Sequence, residues 1–412
     1  MKSCSQRLKS GTLTGRGVEL SADFLTRLRE ASQKVREAER ACVVFHNDAD
    51  GLCAASLMLA TLEKMGMEAR QVCIEKIHLA VVEKIHRLPE QLFIYLDIGS
   101  GRADLIAEQK SSGQYVIIVD HHDPREVVDS GVLNVNAELY GYSGESDVSG
   151  STTTYLLARE LGLEKHEAWK AVVGSAEIPG KLVSLNRVAL DDAVAAGEVE
   201  IIAGDEEKYR IKAFKQLWNR LSTTFTLVGS VGYYREGPAK VLGFCKSRRI
   251  DRRIVEELEN MRREAFRSAD ALLAQRRLDR HGRVQWFHVG DLFRGMGSKV
   301  IGTYTSVLSY RAFIDQRRYL VGFMNYEAHI PGLGEVGGSW VKASLRAPRQ
   351  LAELIRSGQM PPTSRIAEEA ASKVGGTADG HAVAASAIIP RGEEEVFIEY
   401  LDKLANVGIG EA

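Results

Sequence analysis

Three apolar runs in this chain each end abruptly in carboxylates or imidazoles. Ala41-Cys42-Val43-Val44-Phe45 leads into His46-Asn47-Asp48-Ala49-Asp50-Gly51, Leu92-Phe93-Ile94-Tyr95-Leu96 into Asp97, and Tyr115-Val116-Ile117-Ile118-Val119 into Asp120-His121-His122-Asp123. A continuous apolar run of about five residues reads as a strand buried on both faces of a parallel sheet. In open α/β sheets, ligands bind in the crevice at the carboxyl ends of such strands. His46, Asp48, Asp50, Asp97, His121 and His122 therefore converge on one sheet edge. Buried carboxylates without partners are costly and cannot neutralise one another. A cation placed between them is the simplest resolution.

The donor set also indicates which cation. Imidazole and carboxylate without thiolate favour Mn²⁺ or Mg²⁺ over structural zinc. Two such ions a few ångströms apart suit hydrolysis of a phosphate ester or anhydride, because they share an attacking hydroxide and stabilise charge on the phosphoryl oxygens. Asp97 is placed to bridge both ions, and Asp120 to orient a neighbouring imidazole. Bulk properties agree with an ordinary globular chain: 412 residues, 44% hydrophobic, 26% charged, formal net charge -1. That charge excludes reading a nucleic-acid partner from overall basicity; any basic surface is local. Cys4, Cys42, Cys53, Cys73 and Cys245 form no C-x-x-C pair, so reduced thiols in a cytoplasmic protein are expected. Residues 1–17 lack the apolar core of a signal peptide, and no run has membrane-span length.

Strand and helix patterns alternate after an amphipathic helix within 20–39: strands at 41–46, 69–74, 92–97 and 115–120, and helices at 51–65, 78–87 and 103–111. This alternation predicts a parallel, doubly wound N-terminal domain with right-handed crossovers. A long helix follows, carrying Ile254, Leu258, Met261, Ala265, Ala269 and Leu272 at helical spacing. Between 246 and 283, twelve Lys/Arg face seven acids, the makings of either a solvated face or a phosphate track. Residues 205–221 and 351–373 read as helical, and 286–289 and 319–323 as strands of a smaller mixed α/β C-terminal domain across a cleft. The expected organisation is an extension over 1–39, a metal-binding domain over 40–190, a helical or mixed linker over 191–280, and a C-terminal domain over 281–412.

Two segments carry double readings. Ser149-Gly150-Ser151-Thr152-Thr153-Thr154 precedes a helix, as an N-cap or as free amides facing a phosphate; the second makes Ser151 and Thr152 nucleic-acid contacts. Gly375-Gly376 through Gly380-His381 forms turns or admits a nucleotide backbone.

On the residues His46-x-Asp48-x-Asp50-Gly51, Asp97 and Asp120-His121-His122, the chain resembles the DHH phosphoesterase family, specifically the archaeal RecJ-like exonucleases. The likeness extends through Asn134–Gly141 and the 149–161 segment. It also covers Ser344-Leu345-Arg346 and Gly375–His381, which resemble the signature of the DHH-associated C-terminal domain. The resemblance implies a Mn²⁺-preferring nuclease with His46, Asp48, Asp50, Asp97 and His121 as ligands. It further implies that His122 touches a phosphate, and that Arg346, Gly375, Gly376, Gly380 and His381 grip single-stranded DNA or RNA. One departure stands out. The family's fourth motif supplies an aspartate after a glycine at a helix end, whereas Gly174-Ser175-Ala176-Glu177 offers only Glu177. Three functions follow: an active exonuclease, a catalytically weakened scaffold in a replication, repair or RNA-processing assembly, or a phosphodiesterase for short oligonucleotides or cyclic dinucleotides.

Overall fold

The computed structural model describes residues 14–15, 18–204 and 206–407; Cys4 and most of the expected extension before residue 20 lie outside them. The helix Ala22–Glu37 is capped by Ser21, whose side chain accepts from the Phe24 amide, and it buries Phe24, Leu28, Ala31 and Val35. Beyond it lies a five-stranded sheet in the order Glu68–Ile74, Arg40–His46, Leu92–Leu96, Tyr115–Asp120, Val132–Asn136. Every pairing is parallel. Alternate side chains feed two cores. Val43, Ile94 and Ile117 pack with the helices on one face, while Cys42, Val44, Phe93, Tyr95 and Ile118 pack against Val81, Ile85 and Ile106 on the other. This is the doubly wound arrangement expected from the alternation. Chain order reverses between Arg40–His46 and Leu92–Leu96, so the switch-point crevice opens at His46 and Asp97.

The segment 191–280 joins the first of these cores through Val199, Tyr209, Trp218, Phe225, Leu258 and Ala269. The helical reading of 205–221 is corrected here. Val199–Ile202, Lys208–Ile211 and Gln216–Leu217 form an antiparallel sheet, and the helix begins only at Trp218. Burial alternates along Lys208–Ile211, so period two prevails over the helical spacing. The long helix is present as Arg252–Arg276.

The C-terminal domain is a mixed six-stranded sheet in the order Asp279–His281, Val284–His288, Tyr319–Tyr326, Trp340–Arg346, Ala384–Pro390, Thr377–His381. Its core gathers Val321, Phe323, Val341, Leu345, Ile366 and Phe397. The helix expected over 351–373 is two helices, Arg349–Arg356 and Thr363–Lys373, because Pro361-Pro362 cannot continue one. The glycine segment after it forms an antiparallel strand pair. No described helix is long and apolar enough to cross a membrane.

Candidate metal centre

Sheet register builds the site. Phe45 pairs with Leu96, Leu96 with Val119, and Asp120 with Asn136. The next residues, His46, Asp97 and Asp120, therefore stand side by side along the carboxyl edge. Asp97 has φ 58°, a left-handed conformation that Asp tolerates better than most side chains. It turns the chain sharply there, and the turn places the carboxylate in the crevice. Asp48 caps the helix Ala49–Lys64, its Oδ1 accepting from the Gly51 amide at 3.1 Å, while Thr226 Oγ1 accepts from the Ala49 amide at 3.0 Å.

Asp50 points the other way, into the start of the helix Gly150–Glu160. Its two oxygens accept from the Gly150 and Ser151 amides, both at 2.8 Å. Helix-terminal amides and the helix dipole both favour a carboxylate there. This outcome corrects one reading of the hydroxyl-rich segment. Ser149 is the N-cap, accepting from the Thr152 amide at 3.1 Å, and the amides beyond it are taken by Asp50, not offered to a phosphate. Ser151 and Thr152 are fully buried. Their hydroxyls join Ser149 and Ser175 in a closed network that fixes this helix start. They position Asp50 and meet no strand.

Two groups of donor atoms result, each with its atoms within 4.8 Å of one another: His46, Asp48 and Asp97, and Asp97, Asp120, His121 and His122. His46 Nδ1 is 2.8 Å from Asp48 Oδ2 and 3.8 Å from Asp97 Oδ2. His121 Nε2 is 3.4 Å from Asp97 Oδ1 and 3.6 Å from Asp50 Oδ2. Its other nitrogen, Nδ1, donates to the Gly144 carbonyl at 2.8 Å, which leaves Nε2 as the free donor. Asp120 is committed elsewhere. Oδ1 accepts from the His121 amide and from His122 Nδ1, both at 2.7 Å, and Oδ2 accepts from the Ser100 amide at 2.9 Å. It therefore orients the His122 imidazole and holds the His121 backbone, while the Gly144 carbonyl orients the His121 ring. Asn136 Nδ2 donates to the His122 carbonyl at 2.7 Å and tightens the same loop.

The electrostatics are those of a cation site. Burial, then the charges of Asp50 and Asp48, hold the Asp97 carboxyl well above the usual range. Burial alone would lower His46, yet Asp48 and Asp97 raise it to about 9. Burial likewise opposes the charge on His122, and Asp120 overrides it, giving about 9. Asp97 Oδ1 is buried with no hydrogen-bond partner among the described residues, and His46 Nδ1, although 2.8 Å from Asp48 Oδ2, lacks the alignment of a hydrogen bond. Buried polar atoms are rarely left so. His46, Asp48, Asp50, Asp97 and His121 thus fit a divalent ion.

The other expected site residues fall in different places. Glu177 joins neither donor group; its side chain is 47% exposed and Oε1 lies 3.2 Å from Lys299 Nζ. Arg346 turns toward the helix Lys299–Leu308, donating to Ser306 Oγ at 2.6 Å and to the Gly302 carbonyl at 3.3 Å. Part of its donor set is therefore spent within its own domain. Gly376 and Gly380 correct the reading of an open glycine loop. A Cβ at Gly376 would meet the Ile388 carbonyl at 2.5 Å, and one at Gly380 the Ala384 carbonyl at 2.5 Å. What these glycines admit is the neighbouring strand. Gly375, at φ 73°, turns the chain out of the preceding helix. His381 sits at the cleft rim, with Nδ1 3.2 Å from Glu145 Oε1 of the opposite domain.

Sequence reasoning missed the residues that bring the domains together. Lys299 Nζ reaches Asp48 Oδ2 at 2.7 Å. The buried Glu75 accepts from the Ser298 amide and from Asn47 Nδ2. Lys76 pairs with Asp379 at 2.6 Å. No local signal marks any of them. Three arginines of the basic stretch, Arg262, Arg263 and Arg267, line a groove of about 460 Å³ together with Arg311 and the acids Glu259 and Asp270, beside Thr303 and Val307 of the helix Lys299–Leu308. Tyr310 and Phe313, just beyond that helix, are 85% and 55% exposed.

Comparison with known proteins matches residues 40–176 to the DHH family, N-terminal domain. An uncharacterized protein of Methanocaldococcus jannaschii is 22% identical over 88% of this chain and 92% of its own length. The single-stranded-DNA-specific exonuclease RecJ of Haemophilus influenzae is 23% identical over 60% of this chain and 42% of its own. Among solved structures, RecJ of Thermus thermophilus in complex with Mn²⁺ superposes with a TM-score of 0.60 at 19% identity, covering 92% of this chain and 54% of that one. The chain thus spans about half the length of these RecJ proteins, and the structural likeness carries the fold. The family match covers the whole stretch that supplies the cradle, and over that stretch the chain is similar to the DHH family, N-terminal domain.

Proposed function

We propose that this chain is a metal-dependent phosphodiesterase that shortens single-stranded DNA or RNA from an end, with Mn²⁺ preferred and Mg²⁺ an alternative. The observation that carries this reading is Asp97. One buried, strained carboxylate is shared by two donor groups and has an oxygen with no protein partner among the described residues. Divalent ions held by His46, Asp48, Asp50, Asp97 and His121 would supply Lewis acidity at a phosphoryl oxygen and a nucleophile at neutral pH. The chain's own residues do the rest. Asp120 holds His122 by Nδ1, so the opposite nitrogen of a charged imidazole faces the crevice and suits a phosphate oxygen. His381, opposite Glu145 of the first domain, is the C-terminal residue best suited to meet a strand there. The arginine groove with Tyr310 and Phe313 suits a polymer, since single strands bind through phosphate contacts and stacked bases.

A second reading, a catalytically weakened scaffold, draws on Glu177, which turns out to Lys299 instead of into the cradle. The two separate in one assay: single-stranded DNA and RNA, each labelled at either end, incubated with Mn²⁺ and the wild-type or Asp97→Asn protein. Stepwise shortening that Asp97→Asn abolishes is the expected result. Equal inertness of both proteins on every polymer, with dinucleotides also intact, rejects the enzyme and favours the scaffold.

A further inference from the structure

We propose that Lys299 is a resident cation of the cradle: its ammonium takes the position of one divalent ion, so the chain holds one ion tightly where the donor set has places for two. This rests on reading the cradle as a metal site. The half built on Asp48 is already partnered. Asp48 Oδ1 accepts from the Gly51 amide, and Oδ2 faces both His46 at 2.8 Å and Lys299 at 2.7 Å. A divalent ion between His46, Asp48 and Asp97 would meet a positive charge at contact distance.

Lys299 is not there by the wandering of a long side chain. The two residues before it are fixed by their backbones, Gly297 donating to the Ser230 carbonyl at 2.8 Å and Ser298 donating to the buried carboxylate of Glu75. A Cβ at Gly297 would come within 2.6 Å of Glu75 Oε1, so the helix start is seated as closely as the backbone allows. Glu177, 3.2 Å from the ammonium on its outer side, completes the pairing. A carboxylate that a two-ion cradle would turn inward here serves the lysine.

The other half is different. Asp50 is aimed by two amides, His121 presents Nε2, and neither stands within ion-pair distance of a lysine or arginine among the described residues. That half takes the ion. The ammonium then supplies fixed positive charge on the Asp48 side, where it can neutralise a phosphoryl oxygen without coordinating water.

The test counts metal and does not depend on turnover. Mn²⁺ is titrated into the full chain by calorimetry and equilibrium dialysis, and bound Mn²⁺ is examined by electron paramagnetic resonance. Wild type is expected to bind one tight ion with the spectrum of an isolated Mn²⁺. Lys299→Met is expected to bind two, the second at least ~30-fold tighter than in wild type and spin-coupled to the first, as follows from removing a unit charge about 4 Å from a divalent ion even at the dielectric of water. Glu177→Gln keeps one ion, since Lys299 still holds Asp48. Two tight, coupled ions in wild type overturn the proposal without any variant, and an unchanged isotherm in Lys299→Met overturns it where circular dichroism shows the variant folded. Absence of binding in every protein rejects the metal reading as well, whereas an inert protein that binds one ion rejects only the nuclease.

Discussion

Replacing Asp97 by Asn tests whether the cradle is an assembly of mutually repelling carboxylates. The substitution is nearly isosteric, and Asn is among the few residues that accept φ near 58°. Backbone strain therefore stays about the same while the charge goes. Ligand oxygens of Asp48 and Asp97 lie within 4.8 Å of one another. At an effective dielectric of ~20, two unit charges at that distance repel by about 3 kcal/mol, of which the Lys299 ammonium beside Asp48 offsets a part while the Asp50 charge adds to it. Without metal, the wild-type protein either bears part of this cost or keeps Asp97 protonated in a buried place. Asp97→Asn is accordingly expected to be more stable than wild type in chelator, by ~1–3 kcal/mol. With Mn²⁺ at 100 times its dissociation constant, wild type gains about 2.7 kcal/mol by mass action, and the variant gains little. Urea unfolding followed by tryptophan fluorescence reads both, since Trp169 and Trp218 are buried in the core that the sheet shares. A variant that is less stable in chelator yet keeps the full Mn²⁺ increment would refute the reasoning, because the carboxylates would then be neither in conflict nor joined by a metal.

Other outcomes follow from neighbouring contacts. A Cβ at Gly150 would collide with the Asp97 carboxylate, so Gly150→Ala is expected to weaken Mn²⁺ binding at least ~10-fold and to cost ~1–3 kcal/mol of stability; an unchanged calorimetric isotherm counts against the packing described. Burial raises Glu75 from 4.5 to about 7. The stability linked to its proton is fully present below pH 4.5 and is lost as pH rises through 7, so Glu75→Gln should match wild type near pH 4.5 and exceed it by up to ~3 kcal/mol at pH 8. Parallel stability–pH curves for the two proteins would rule this out. Arg263→Glu with Arg267→Glu should weaken binding to a labelled single-stranded oligonucleotide and flatten its salt dependence by ~0.7 per lost phosphate contact. An unaltered slope would place the strand elsewhere.

Much of the site was legible because parallel strands write their own ends. Each fully apolar run stops where the sheet stops, and the first polar residue after it must lie on the crevice edge. His46, Asp97 and Asp120 could be placed together from this rule alone. The strand Val132–Asn136 was harder, since its Asn134 and Asn136 break the apolar run. Both belong to the site's support: Asn134 Oδ1 accepts from Ser100 Oγ and Asn136 Nδ2 donates to the His122 carbonyl. The stretch 205–221 failed for a different reason. Short strands of four residues and two offer too little alternation to compete with scattered helical spacing.

The hydroxyl-rich segment shows where local reading stops. Ser149 as a cap is a statement about four consecutive residues, and such statements hold in any surroundings. What the freed amides face depends on which group the fold brings up to them. Here it is Asp50, a hundred positions earlier in the chain, and a phosphate site by local logic becomes the clamp on a carboxylate of the cradle. Lys299 and Asp48 are 251 positions apart, and Glu75 and Ser298 are 223. Neither pair leaves a pattern in sequence, because a lysine at a helix start and a glutamate after a strand are ordinary in isolation. Sheet register sets which carboxylates gather, whereas the docking of the second domain sets how many positive charges they still require. If Lys299 fills one position as proposed, the number of ions this cradle holds is a property of the interface between the domains, and no motif within the first domain determines it alone.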